Sequence, residues 1–122
     1  LSIAERILNA DDLRREVLHI EEWGVDVLVI SMTARERGST EDYIRKKGGE
    51  KAKSEELYAD LCIMAARDPV TEELIFQKSH RDRLAQKNAK PVCDIVLAWM
   101  RLSGMAEDAV EKAAKNSETA DD

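Results

Sequence analysis

Two cysteines and two histidines are the side chains here best suited to hold a metal or act on a substrate. Cys62, His80 and Cys93 would be the natural zinc set. Zinc in a structural site takes four ligands, and the spacings of these three match no zinc module. Both thiols read instead as packing residues, small and apolar. His19 falls near the end of a predicted strand and reads as a surface or packing residue rather than a base. The carboxylates read as solvated faces, because a carboxylate needs burial or a close partner to titrate near neutral pH. The sequence contains no Gly-rich phosphate loop, no nucleophile elbow and no paired-histidine metal helix. The expectation is a protein that is not an enzyme, with no metal and no cofactor.

The elements that would position such residues fit within one domain, since the chain has 122 residues. At 43% apolar it can build a core, so wholesale disorder is excluded. It carries 19 Lys+Arg against 25 Asp+Glu, a net charge of −6. Residues 106–122 hold six of the acids against two lysines, so the body is close to neutral. Net acidity argues against a general nucleic-acid binder, which must displace counterions with a concentrated positive field. Two basic clusters remain, Arg45-Lys46-Lys47 and Arg81, Arg83, Lys87 and Lys90. Acids flank both, which favours ion-paired helix faces over a phosphate groove. No stretch approaches the ~18 apolar residues of a membrane span, and Leu1–Ala10 lacks a signal peptide's pattern. Cysteines without such a signal read as free thiols in a reducing cytoplasm. The chain opens on Leu1 rather than Met, which leaves room for missing or processed residues ahead of it.

Helical spacing of Ile3, Ile7 and Leu8 predicts a short first helix capped by Ser2, in need of tertiary support. Two β-prone runs, Val17–Ile20 and Val25–Ile30, flank Glu21-Glu22-Trp23-Gly24 and predict a hairpin. The second strand is apolar on both faces from Val27 to Ile30 and should be covered on both. Thr33 and Glu36 form a predicted capping box. Its helix is expected to stop by Gly38, with Thr40 capping a separate helix over Glu41–Lys47 in a charged, solvated region. Ser54–Arg67 reads as an amphipathic helix with Leu57, Tyr58, Leu61, Cys62 and Ala65 on one face. Asp68-Pro69 ends it, and Leu74-Ile75-Phe76 is a candidate third strand. Ser79 is expected to cap a helix over His80–Asn88. Pro91 suits the first turn of a helix reaching Leu102 and closed by Gly104, and a last helix is expected over Met105–Ala114. The fold class is therefore α+β: one mostly helical domain over 1–114, a small antiparallel sheet near the N-terminus, and an acidic tail over 115–122.

Val92–Met100 is apolar on nearly every side of a helix, so it is either central or shared with a partner. Aromatic and Met side chains favour protein contacts. On the partner reading the contact residues are Ile95, Val96, Trp99, Met100, Leu102 and Met105, with Trp23 at the hairpin turn as a second patch. On the other reading this is the core helix, and Trp23 caps the small sheet.

Three places resemble the tail assembly chaperones of lambda-like, long-tailed bacteriophages. Glu22-Trp23-Gly24-Val25 through Ser31-Met32-Thr33-Ala34-Arg35-Glu36-Arg37 is similar to that family's hairpin and "T-x-x-E-R" helix. Leu61–Pro69 followed by Leu74-Ile75-Phe76 resembles its helix, turn and "L-x-F" segment. Leu102-Ser103-Gly104-Met105, Ala109-Val110-Glu111 and Lys115–Glu118 resemble its "LSG … AVE … KNSE" ending. The order and spacing of these pieces carry the likeness; Arg45–Lys53 departs from it. The resemblance implies a morphogenesis factor in the cytoplasm of an infected bacterium, absent from the mature virion. It implies binding of the tape measure protein and the tail tube protein until tube polymerisation displaces the chaperone. It also implies self-association into a homo-oligomer, and a longer form made by translational frameshift. Ala114-Lys115-Asn116 can be encoded GCA AAA AAC, which contains the slippery heptamer A AAA AAC. Gln86-Lys87-Asn88 permits the same heptamer in mid-chain. Neither nucleic acid nor membrane is an expected partner. The alternative is a small acidic phage regulatory or DNA-associated protein using the basic helix 81–90.

Overall fold

A computed structural model describes residues 1–48 and 54–105. The expected helix after Met105, the acidic tail and the boundary at 114 lie outside the described residues. Among those described, five α-helices and one two-stranded antiparallel sheet form an α+β fold, as the patterning predicts.

Helix α1 (Ile3–Asn9) starts where expected, with Ser2 Oγ accepting from Glu5 N–H at 3.1 Å. It has no buried residue. Strands β1 (Arg15–Ile20) and β2 (Val25–Ile30) pair from Arg15↔Ile30 to Ile20↔Val25. Gly24 adopts φ +65° to close the four-residue loop, and its N–H donates to Ile20 C=O at 2.8 Å. Period-two alternation sends Ile20, Val27 and Val29 into the core, while His19 faces Asp26 across the outer face at 2.8 Å. Leu28 is buried too, as expected for a strand that is apolar on both faces.

The Thr33–Glu36 capping box forms in both directions, at 3.1 and 3.2 Å. The helix it starts does not stop at Gly38: α2 runs unbroken over Ala34–Gly48. Gly38 weakens a helix without breaking it, and the stripe Thr40, Tyr43, Ile44, Lys47 holds α2 to the body across that point. The expected break, and the separate cap at Thr40, are corrected accordingly; Thr40 is buried within the helix.

Helix α3 (Ser54–Ala65) buries Leu57, Leu61 and Cys62 as expected, and Ala59 and Ile63 besides. Its neighbours α2, α5 and the short α4 (Arg81–Leu84) cover more than one face. The third strand is reduced to single bridges, Leu28↔Arg67 and Arg67↔Leu74. The tight turn at Asp68-Pro69 leaves no room for a longer ladder; Asp68 Oδ1 accepts from Val70 and Thr71 N–H.

The predicted helix His80–Asn88 is also shorter. A 3₁₀ turn at Lys78–His80 leads into α4, and Asn88 caps α5 (Ala89–Leu102). Ser79 makes no cap; Gln77 N–H donates to His80 Nδ1 at 3.0 Å. Leu84 is the only buried anchor of this stretch, too little to hold a longer helix. Helix α5 ends at Gly104, φ +75°, with Met105 N–H to Met100 C=O at 2.9 Å and Gly104 N–H to Arg101 C=O at 3.2 Å. That pair is the Schellman pattern, and glycine is needed for it.

Candidate interaction surface

Helix α5 packs against α3 and both strands. An all-round apolar helix needs neighbours on several sides, and the fold supplies them within one chain. Ile95, Val96 and Met100 are fully buried and Trp99 is 3% exposed. The expectation that these four form a partner surface is therefore corrected: they are core. Trp23, Leu102 and Met105 are partly buried and lie against the same core. The seven residues thus belong to one packed unit and do not make an open patch.

Polar chemistry converges at one place, between α2, α3 and α4. Arg81 Nε donates to Asp60 Oδ1 at 2.8 Å, and its Nη1 donates to Glu56. Tyr43 Oη donates to the other oxygen of Asp60, and Lys47 Nζ lies 3.5 Å from Glu56. Burial, followed by the Asp60 hydrogen bond, raises the Tyr43 pKa well above the ordinary phenol value, so the hydroxyl stays a donor. Two carboxylates, two cations and one neutral phenol balance each other and tie three helices together. Burial pushes the Cys62 thiol up to about 12 and raises Cys93 as well, which disfavours the thiolate at both. Among the described residues no three His, Cys, Asp or Glu side chains gather as a metal site.

The basic segment 81–90 presents less charge than its sequence suggests. Arg81 is engaged by Asp60 and Glu56, and Lys90 by Asp94 at 2.8 Å. That leaves Arg83 and Lys87 as its unpaired cations among the described residues.

The large exposed apolar side chains lie elsewhere. On α1, Ile3, Ile7 and Leu8 are 74%, 63% and 82% exposed. A second region is a cleft of about 300 Å³ lined by Ile75, Phe76, His80, Arg83, Leu84 and Lys87. Leu74 and Val70, both exposed, continue the apolar character of the same loop. Both carry a signal in the sequence, Ile3/Ile7/Leu8 as a helix face and Leu74-Ile75-Phe76 as an apolar run, but neither pattern shows that the surface stays uncovered.

The motif segments also meet in space. Ser103 Oγ accepts from Met32 N–H at 2.9 Å and donates to Trp99 C=O at 2.7 Å. Arg37 Nη1 donates to Ser103 C=O at 3.2 Å. Arg67, within the second motif, exchanges two 2.8 Å hydrogen bonds with Leu28 of β2. No family model, no curated protein and no solved structure matches this chain. No helix among the described residues is long and apolar enough to cross a membrane.

Proposed function

We propose that this protein is a phage tail assembly chaperone. It acts by reversible binding, not by catalysis. Its clients are the tape measure protein and tail tube subunits, which it keeps soluble in the host cytoplasm until the tube polymerises. It associates with itself, and a longer form arises by frameshifting near codon 115. The observation that carries the binding role is the uncovered apolar surface on a body whose own core is closed: Ile3, Ile7 and Leu8 on α1, and the Phe76 cleft. Such surface suits amphipathic helices of another chain laid into a groove. The nature of the client rests on the motif resemblance. The interlocking of its pieces through Ser103, Arg37 and Arg67 supports reading those motifs as one structural frame.

Co-expression with the tape measure protein tests this. The tape measure chain should be soluble and co-purify with this protein, and precipitate without it. A tape measure chain equally soluble alone, with no co-purification, overturns the reading. In the gene, absence of a slippery heptamer or an overlapping −1 frame near codon 115 removes the frameshift.

A further inference from the structure

Strand β1 leaves one edge of the sheet open. Leu28 donates its N–H to Arg67 C=O and accepts from Arg67 N–H, both at 2.8 Å, on the side of β2 away from β1. Successive residues of a strand alternate in the side to which these groups point, so Val27 and Val29 turn toward β1 and face Leu18 and Glu16. The bond from Ser31 N–H to Arg14 C=O at 2.8 Å continues the same parity. The N–H and C=O groups of Arg15, Val17 and His19 therefore point outward from the far side of β1, and none is bonded among the described residues. Edges of this kind are usually blunted by proline, lysine or a bulge. Strand β1 has no proline or lysine, its register with β2 runs without a bulge, and Val17 at its centre is 55% exposed. A groove of about 320 Å³ lies between this edge and α5, lined by Leu18, Ile20, Leu97 and Arg101 among others and by no residue of β2. A row of alternating free donors and acceptors with a groove beside it fits an extended strand and no helix.

We infer that β1 of a second copy of this protein is that strand, paired antiparallel about a two-fold axis at Val17. Among the registers of β1 with itself, this one uses all three outward residues: Val17 meets Val17 of the second copy, and Arg15 meets His19. Centred on Glu16, the pairing would set two carboxylates opposite each other, and centred on Leu18 it would run Arg15 past the strand end. Centred on Val17, Glu16 lies opposite Leu18, and Arg15 meets a histidine already joined to Asp26 at 2.8 Å. The two sheets become one, in the order β2-β1-β1-β2. The outer edge of β2 is held in part by Arg67, so the pairing closes on two copies. This gives the self-association proposed above its surface and rests on it.

Sedimentation velocity of the full chain across a concentration series tests the pairing, with circular dichroism to verify the fold. The unmodified protein should dimerise. Val17→Pro should weaken dimerisation at least tenfold. It removes an N–H that bonds to nothing in its own chain among the described residues, and an edge strand tolerates proline at such a position. Val17→Lys and Val17→Glu should each weaken dimerisation to a similar extent, because the residue meets its own copy, and a mixture of these two proteins should recover dimers. If Val17→Pro fails to fold, the Val17→Lys and Val17→Glu pair decides the matter. Dimers unchanged by these substitutions, or a mixture that recovers none, overturn the β1 pairing while leaving self-association standing. An unmodified protein that stays monomeric overturns both, whether another segment of its own chain or another protein's strand covers β1, and leaves tape measure capture to be judged by co-expression.

Discussion

The guanidinium of Arg37 reaches the main-chain carbonyl of Ser103 at 3.2 Å, joining the start of α2 to the end of α5 across 66 positions of sequence. The Ser103 hydroxyl works on the other side of the same junction, accepting from Met32 N–H and donating to Trp99 C=O. A helix C-terminus attracts cations, so Arg37 also meets the negative end of the α5 dipole. One serine therefore satisfies a half-buried N–H and fixes the turn that Gly104 completes.

Ser103→Ala should destabilise the protein by about 1–3 kcal/mol, because the Met32 N–H loses its partner in a partly buried place. Arg37→Ala should cost less, since water can replace an exposed guanidinium. Urea unfolding of the two single variants and the double variant checks this. A coupling energy on the order of 0.5 kcal/mol or more is expected for residues in one network. Fully additive losses would show that Arg37 and Ser103 act independently.

Gly38→Ala should stabilise the protein by roughly 0.5–1 kcal/mol. The glycine sits inside α2, its φ is not in the left-handed region, and an added Cβ meets nothing within 4 Å. A rise in thermal midpoint is the measurement. A fall would mean that the chain needs a break where the structure has a continuous helix.

These two sites also illustrate how much the sequence makes legible. The Thr33–Glu36 cap, the Gly24 turn and the Gly104 stop were readable because each rests on local backbone chemistry. Gly38 misled because a lone glycine is a weak signal, and Thr40 and Ile44 gain their anchoring only from packing on the body. The short end of the α4 region misled for a similar reason: helical residues such as Ala85 and Lys87 lack buried partners there. Polar contacts at long range, such as Arg81 with Asp60, leave no trace in spacing. The core role of α5 was visible as an all-round apolar segment, but composition alone cannot tell a neighbour in the same chain from one in another. The same limit hid the Phe76 cleft, whose floor comes from a loop and a short helix that only the fold brings together.

Trp99→Asp should fail to fold rather than fold without its partner. The indole is 3% exposed, and it is flanked by the fully buried Ile95, Val96 and Met100. Removing the ring alone costs about 3–5 kcal/mol, and a buried carboxylate adds to that. Expression yield and a heteronuclear NMR spectrum give the answer. A soluble Trp99→Asp protein with dispersed resonances would mean that α5 can leave the core.

Binding to duplex DNA should be weak and should lack a steep salt slope. The segment 81–90 offers only Arg83 and Lys87 as unpaired cations, on a chain of net charge −6. Counterion release scales with the number of phosphates neutralised, so two cations give a shallow dependence. Filter binding over a salt series is the check. A tight complex whose affinity collapses with salt would favour the regulatory alternative.

Cys62 makes the alkaline limb of stability informative. Burial holds its thiol neutral up to about 12, against an ordinary value of 9.0. The unfolded chain ionises this thiol from about pH 9, and the folded chain does not. Its contribution is therefore fully present below pH 9 and is lost as pH rises toward 12. Tyr43, whose pKa is raised by burial and by its bond to Asp60, acts with the same sign above its ordinary value of 10.0. Cys62→Ala should lower stability at neutral pH through the small cavity it leaves, yet flatten the decline between pH 9 and 12. The readout is the difference in slope between the variant and its parent in denaturant titrations. Thiol labelling near pH 8 gives an independent check: the partly exposed Cys93 should react first, and Cys62 only at the rate of opening. Equal labelling rates for the two cysteines, or parallel slopes in the alkaline range, would show that Cys62 is open to solvent in the native protein.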